Sequence, residues 1–133
     1  MVNRYIVDAG VLALFFAGDQ KVKKYFNDIF RGNAAGYLCE INLAEFYYKS
    51  AEKLGIDAAD IRYEAVRNSP IKQVPVEDEL VREAAKIKLK YRNKISLADA
   101  FLIALTHQVK GIALTNDPAI KEILKNKCKF FEV

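Results

Sequence analysis

Two periodicities alternate along the chain. Ile6 and Val7 belong to an apolar run with no polar alternation, as in a parallel strand covered on both faces, and Val11, Leu12, Leu14 and Phe15 then fall on a helical stripe. Asp8 stands at the join, with Gly10 expected to supply turn freedom, so a carboxylate is placed at the carboxyl edge of a strand. In open α/β sheets that edge is where ligands bind. Val22, Tyr25, Phe26, Ile29 and Phe30 mark a second helix, stopped by Gly32-Asn33. A strand is expected over Ala34 to Ile41, after which Asn42 opens a long helix carrying Leu43, Phe46, Tyr47, Ala51 and Leu54 down to Gly55.

The second half repeats the alternation. Asp57 to Asn68 reads as a helix, Ser69-Pro70 breaks it, and Ile71 to Val74 is a short strand closed by Pro75. Glu77 and Asp78 supply the negative charge a helix amino end favours, and Leu80, Ala84, Ile87 and Tyr91 form its buried stripe. Ser96 starts a helix running to about Lys110, Gly111 to Leu114 is a strand, Asp117-Pro118 starts a last helix, and Lys129 to Val133 is a closing strand. Strands separated by helices predict an α/β fold: a three-layer α/β/α sandwich around a four- or five-stranded parallel sheet. One domain is expected over residues 1–133.

Composition narrows this little. Hydrophobic residues make up 52% and charged residues 29%, a globular balance. No stretch resembles a signal peptide or a membrane span, so a cytoplasmic protein is expected. The formal charge of +4 and pI near 9.0 suit an acidic partner such as nucleic acid without requiring one. Cys39 and Cys128, the only cysteines, have neither metal-ligand nor redox spacing and read as two buried thiols. Lone His107 excludes a multi-histidine metal site.

The candidate chemistry lies in four acids. Asp8 follows the first strand, Glu45 falls in the first turn after the second, Asp99 in the first turn of the helix opened by Ser96, and Asp117 after the fourth strand. Each has a plain structural explanation as a helix cap: Asp8 and Asp117 at N-cap positions, and Asn42-Leu43-Ala44-Glu45 and Ser96-Leu97-Ala98-Asp99 as capping boxes. Together they say more, because a parallel sheet sends the loop after every strand to one edge. No Lys or Arg occurs in Tyr5 to Phe16 or in Ser96 to His107 to neutralise Asp8 or Asp99 locally. Two carboxylates about 4 Å apart repel by roughly 4 kcal/mol at an effective dielectric near 20, so such a cluster needs protons or a cation. Oxygen ligands without His or Cys select Mg²⁺ or Mn²⁺, which in turn bind phosphate oxygens.

Basic and aromatic residues are less specific. Lys86, Lys88, Lys90, Arg92 and Lys94 form a dense run, and Lys21, Lys23 and Lys24 another. Lys86, Lys90 and Lys94 are candidates for contact with phosphates, although a solvated helix face explains them as well. Phe26, Phe30, Phe46, Tyr47 and Tyr48 have the helical spacing of core or dimer packing more than of a base-stacking platform.

Asp8 after a strand, Glu45 in Asn42-Leu43-Ala44-Glu45, Asp99 in Ser96-Leu97-Ala98-Asp99-Ala100 and Asp117 in Leu114-Thr115-Asn116-Asp117 together resemble the acidic signature of PIN-domain nucleases, most closely the VapC-type toxin ribonucleases. The resemblance spans nearly the whole chain. It implies a Mg²⁺- or Mn²⁺-dependent endoribonuclease whose catalytic metal ligands are Asp8, Asp99 and Asp117, with Glu45 directly or through water. Thr115 and Asn116 are candidates to support these acids from behind, although a side chain at a strand end more often bonds local backbone. It also implies a homodimer and inhibition by a small antitoxin. The sequence departs from the family at Ala9-Gly10, where a hydroxyl residue commonly follows the first Asp. Rival readings are a non-catalytic interaction module on the same scaffold, a phosphate-accepting receiver domain and a DNA-directed nuclease. The receiver reading is weak, because Asp8 has no acid beside it and no Asp follows the strand ending at Val74.

Overall fold

The computed structural model describes residues 2–133 and follows the expected alternation. β1 (Asn3–Val7) leads into α1 (Ala9–Phe16) and α2 (Gln20–Phe30), then β2 (Ala34–Cys39), α3 (Glu40–Leu54), α4 (Ile56–Arg67) and β3 (Lys72–Val74). There follow α5 (Asp78–Tyr91), α6 (Leu97–Val109), β4 (Ile112–Thr115), α7 (Pro118–Leu124) and β5 (Cys128–Phe130). The five strands form one parallel sheet in the order β3-β2-β1-β4-β5.

Alternation along β1 explains the layering. Tyr5 and Val7 point to one face, where they meet Leu12 of α1, Phe26 of α2, Leu43 and Phe46 of α3 and Val66 of α4. Ile6 points to the other, against Ala84 and Ile87 of α5, Leu102, Ile103 and Leu105 of α6 and Ile120 of α7. Both faces of the central strand are therefore dry, which is why its sequence lacks polar alternation.

The connections open a crevice at one edge. After β1 the chain turns to the layer of α1 to α4, and after the neighbouring β4 it turns to the opposite layer through α7. Adjacent strands whose exits part in this way leave room at their carboxyl ends. Asp8 and Asp117 stand at those two exits.

Most boundaries fall within a residue of expectation, and the larger differences have a physical reason. α3 begins at Glu40, with Cys39 rather than Asn42 at its N-cap and no side-chain cap bond. Asn42 is fully buried in the first turn, and Glu45 falls in the second. Ile41 packs against the layer of α5 to α7 while Leu43 and Phe46 face the other layer, a rotation a helix provides and a strand continued to Ile41 does not. β5 starts at Cys128, in register with Ala113, and Phe131 beyond it still donates its N–H to Thr115 O at 2.9 Å. Gly10, expected as a turn residue, lies inside α1 without positive φ, whereas Gly55 between α3 and α4 has φ 94° and needs to be glycine.

Arg67 fixes the outer end of the sheet. Its two terminal nitrogens each meet a Glu40 oxygen at 2.8 Å and its fork also donates to Tyr63 Oη, tying α4 to the start of α3. Cys39 is buried and Cys128 only half-buried, and both are free thiols. Among the described residues no helix is long and apolar enough to cross a membrane.

Candidate active site

Strand register places the first acid. Val7 lies opposite Leu114 and Asp8 N–H donates to Leu114 O at 3.1 Å, so Asp8 is set beside Thr115 across the β1/β4 ladder. Thr115 is fully buried, donates its hydroxyl to Asp8 Oδ2 at 2.7 Å and accepts from Asp117 N–H at 3.0 Å. One hydroxyl thus orients two of the acids. Asp8 holds the N-cap position of α1, but its side chain makes no cap hydrogen bond. Capping does not account for it.

Asp8 is only 5% exposed, and the cost shows in its acidity. Burial raises its pKa to about 7; the Thr115 hydroxyl opposes this and the negative charges of Asp99 and Glu45 add to it. Asp99 is also raised, first by burial and then by Asp117 and Glu45, against the backbone bond from Ser96. The four acids therefore share one electrostatic environment although they come from four separate segments of the chain.

Capping and ion pairing nevertheless claim part of this set. Asp99 Oδ2 accepts from Ser96 N–H at 3.0 Å while Ser96 Oγ accepts from Asp99 N–H at 3.1 Å, a complete capping box. Asp117 Oδ1 accepts from Ala119 N–H at 2.9 Å, with Pro118 opening α7. Glu45 Oε2 meets Lys49 Nζ at 3.2 Å, one turn along α3. That partner lies outside the two segments free of Lys and Arg, yet its four-residue spacing from Glu45 is a signal present in the sequence. Among the described residues no three acidic, His or Cys side chains close into one ligand set as they stand. Asp99, Asp117 and Glu45 each commit one oxygen to these bonds and leave the other uncommitted. A set of carboxylate oxygens around a buried, hard-to-ionise Asp8 suits a hard divalent cation and offers no thiolate or imidazole to a softer one.

Two asparagines shape the site in ways that capping rules do not suggest. Asn42 Nδ2 donates to Ala98 O at 3.1 Å, joining α3 to the first turn of α6 beside Asp99, and its Oδ1 is buried without a partner. Asn116 lies against Gly10 so closely that a Cβ there would collide with its Oδ1. The absence of a side chain at Gly10, rather than any turn freedom, is what the site uses.

The basic candidates divide. Lys94 Nζ pairs with Glu122 Oε1 at 2.7 Å, and Lys88 donates to Arg92 O and Ile95 O at 2.6 and 2.7 Å, closing the α5 to α6 turn. Lys86 and Lys90 remain exposed on α5. Of the aromatics, Phe26 and Phe46 are core, Tyr47 donates to Asp60, and Phe30 and Tyr48 are exposed.

Thr115→Val should cost about 2 kcal/mol in urea denaturation, because it strands the Asp117 N–H and leaves buried Asp8 without its donor. A loss below about 0.5 kcal/mol would show that this hydroxyl does not tie the two strand exits together.

The PIN domain family model matches residues 5–126. No curated protein matches the sequence. Solved structures of similar fold include Mycobacterium tuberculosis VapC20, a sarcin-ricin loop cleaving toxin, at 19% identity and TM-score 0.71, covering 97% of this chain and 98% of that one. VapBC2 from Rickettsia felis, bound to a DNA fragment from its promoter, is similar at 11% identity and TM-score 0.74, covering 98% of each chain. PAE2754 from Pyrobaculum aerophilum aligns at 19% identity and TM-score 0.65 over 100% of this chain and 92% of its own.

Proposed function

The chain belongs to the PIN-domain family, and from that premise we propose that it is a divalent-metal-dependent endoribonuclease acting as the toxin of a toxin–antitoxin pair. The observation that carries the reading is Asp8: a buried carboxylate with no ion-pair partner among the described residues, pushed up to about 7 by burial and by Asp99 and Glu45, at the exit of the central strand. A group so placed weakens the fold unless something compensates its charge.

Asp8, Asp99 and Asp117, with Glu45 directly or through water, are the residues that would hold Mg²⁺ or Mn²⁺. Bound there, the ion supplies a water acidified toward neutral pH and charge to offset that of the phosphate. The chain's own part is positioning. Thr115 aligns Asp8 with the Asp117 backbone, Ser96 fixes Asp99, and Asn42 holds the α6 amino end against α3. Burial of Asp8 keeps bulk water from satisfying its charge.

The test is incubation of the protein with total and transfer RNA in Mg²⁺, in Mn²⁺ and in chelator. Fragments should form with either ion and vanish with chelator. Cleavage equal in all three, or none in any, overturns the reading. A homodimer and a small antitoxin belong to the same proposal; a toxin–antitoxin complex from Klebsiella pneumoniae and a DNA-bound VapBC from Salmonella typhimurium share the fold. The capping bonds of Asp99 and Asp117 favour a second reading, a non-catalytic module on this scaffold. Under it, Mn²⁺ would not raise the melting temperature.

A further inference from the structure

Beside the acid edge, between α1, α3 and the first turns of α4, runs a cleft of about 410 Å³. Ala9 and Gly10, the two residues that follow Asp8, are part of its lining, which places one end of it next to the acid edge. Its apolar lining is Ala13 and Ala17 of α1 and Phe46 and Leu54 of α3. Its polar lining is Lys49, Ser50 and Lys53 from α3 and Arg62 from α4, and no carboxylate lines it.

We propose that this cleft holds a single-stranded ribonucleotide chain on one side of the bond to be cut, Lys53 and Arg62 taking phosphates and the apolar lining taking a base. The proposal rests on the nuclease reading of the acid edge. A nucleotide is an apolar aromatic ring joined to an anion, and the cleft presents the complement of both within the size range of nucleotide-scale pockets, about 300–1,000 Å³. A duplex keeps its bases stacked inside and offers such a lining nothing to bind, which selects a single strand.

The cations are available. Among the described residues Lys53 has no ion-pair partner, and Arg62 lies over the Phe16 ring at 5.3 Å, which steadies its stem without neutralising its charge. Lys49 pairs with Glu45 and also feels the charge of Asp8, so it couples the cleft to the acids. Lys86 and Lys90 on α5 have charge but belong to a surface outside this cleft.

The experiment measures anisotropy of a fluorescein-labelled oligouridylate in chelator across a salt series. The wild type is compared with Lys53→Gln, with Lys53→Gln/Arg62→Gln, and with Lys86→Gln/Lys90→Gln as the rival basic face. The double cleft variant should bind about tenfold more weakly at low salt, with the log–log salt slope reduced by about 1.4, at roughly 0.7 for each single-strand phosphate that is no longer neutralised. Lys53→Gln, an exposed change that disturbs no packing, should give about half that slope change. Lys86→Gln/Lys90→Gln should leave both quantities unchanged. Absence of oligouridylate binding by the wild type, unchanged binding in the cleft variants, or equal weakening in the α5 variant overturns the proposal. So does displacement by polyglutamate as effective as by unlabelled oligouridylate, which would make the cleft a site for an acidic protein. Because binding is read without turnover, the two readings fail separately: wild-type cleavage with unaltered binding by the cleft variants sinks only the cleft, and cleft-dependent binding without metal-dependent cleavage sinks only the nuclease.

Discussion

Asp99→Asn should lower RNA cleavage at least about 100-fold while leaving stability within about 1 kcal/mol of the parent. The substitution is nearly isosteric. Asn Oδ1 can accept from Ser96 N–H as Asp99 Oδ2 does at 3.0 Å, so the capping box and the α6 amino end persist. What disappears is the negative charge that Asp8, Asp117 and Glu45 surround, and with it one oxygen ligand of the proposed ion. Cleavage at the wild-type rate in initial-velocity assays would remove Asp99 from the chemistry. A large fall in stability would mean that the carboxylate serves the helix instead.

The second large effect concerns Asp8 and acidity. An Asp in the unfolded chain ionises near 3.8, while in the fold Asp8 keeps its proton up to about 7. Between those values the native state binds more protons than the unfolded state, so stability falls as pH rises and levels off above the folded value. For a buried group this loss amounts to at most about 4 kcal/mol. Asn at position 8 stays neutral throughout and can still accept from Thr115. In chelator at pH 8, Asp8→Asn should therefore be more stable than the parent by about 2–4 kcal/mol, a rise in melting temperature on the order of 10 °C. At pH 4 the two should melt together. Addition of Mn²⁺ should narrow the gap at pH 8 by stabilising the parent alone. Parallel stability profiles for the two proteins would show that Asp8 carries no unrelieved charge.

Much of this architecture is legible in the sequence. The central strand stands out because two dry faces demand an unbroken apolar run, and one capping box and one proline start mark α6 and α7 from local backbone chemistry alone. The start of α3 is not legible, since Ile41 suits either a strand or a helix, and only packing of both layers decides between them. Position alone points to Glu45 but not to its partner, although Lys49 one turn later is a plain helical signal. Gly10 misleads because chain flexibility and close approach leave the same letter in a sequence; contact with Asn116, more than a hundred positions away, distinguishes them. The resemblance supplies the grouping of the acids, and the geometry adds that three of them also serve local bonds.

The hydroxyl that joins Asp8 to the backbone of Asp117 also sets when the site can exist. Its two carboxylate neighbours lie at opposite ends of the chain, and the bond from Thr115 to Asp8 spans 107 positions. During translation Asp8 leaves the ribosome long before β4 is made, and nothing nearby in sequence can stand in for that strand. Under the proposed nuclease reading, a nascent chain that has not yet made β4 lacks both Thr115 and Asp117 and so cannot complete the acid edge.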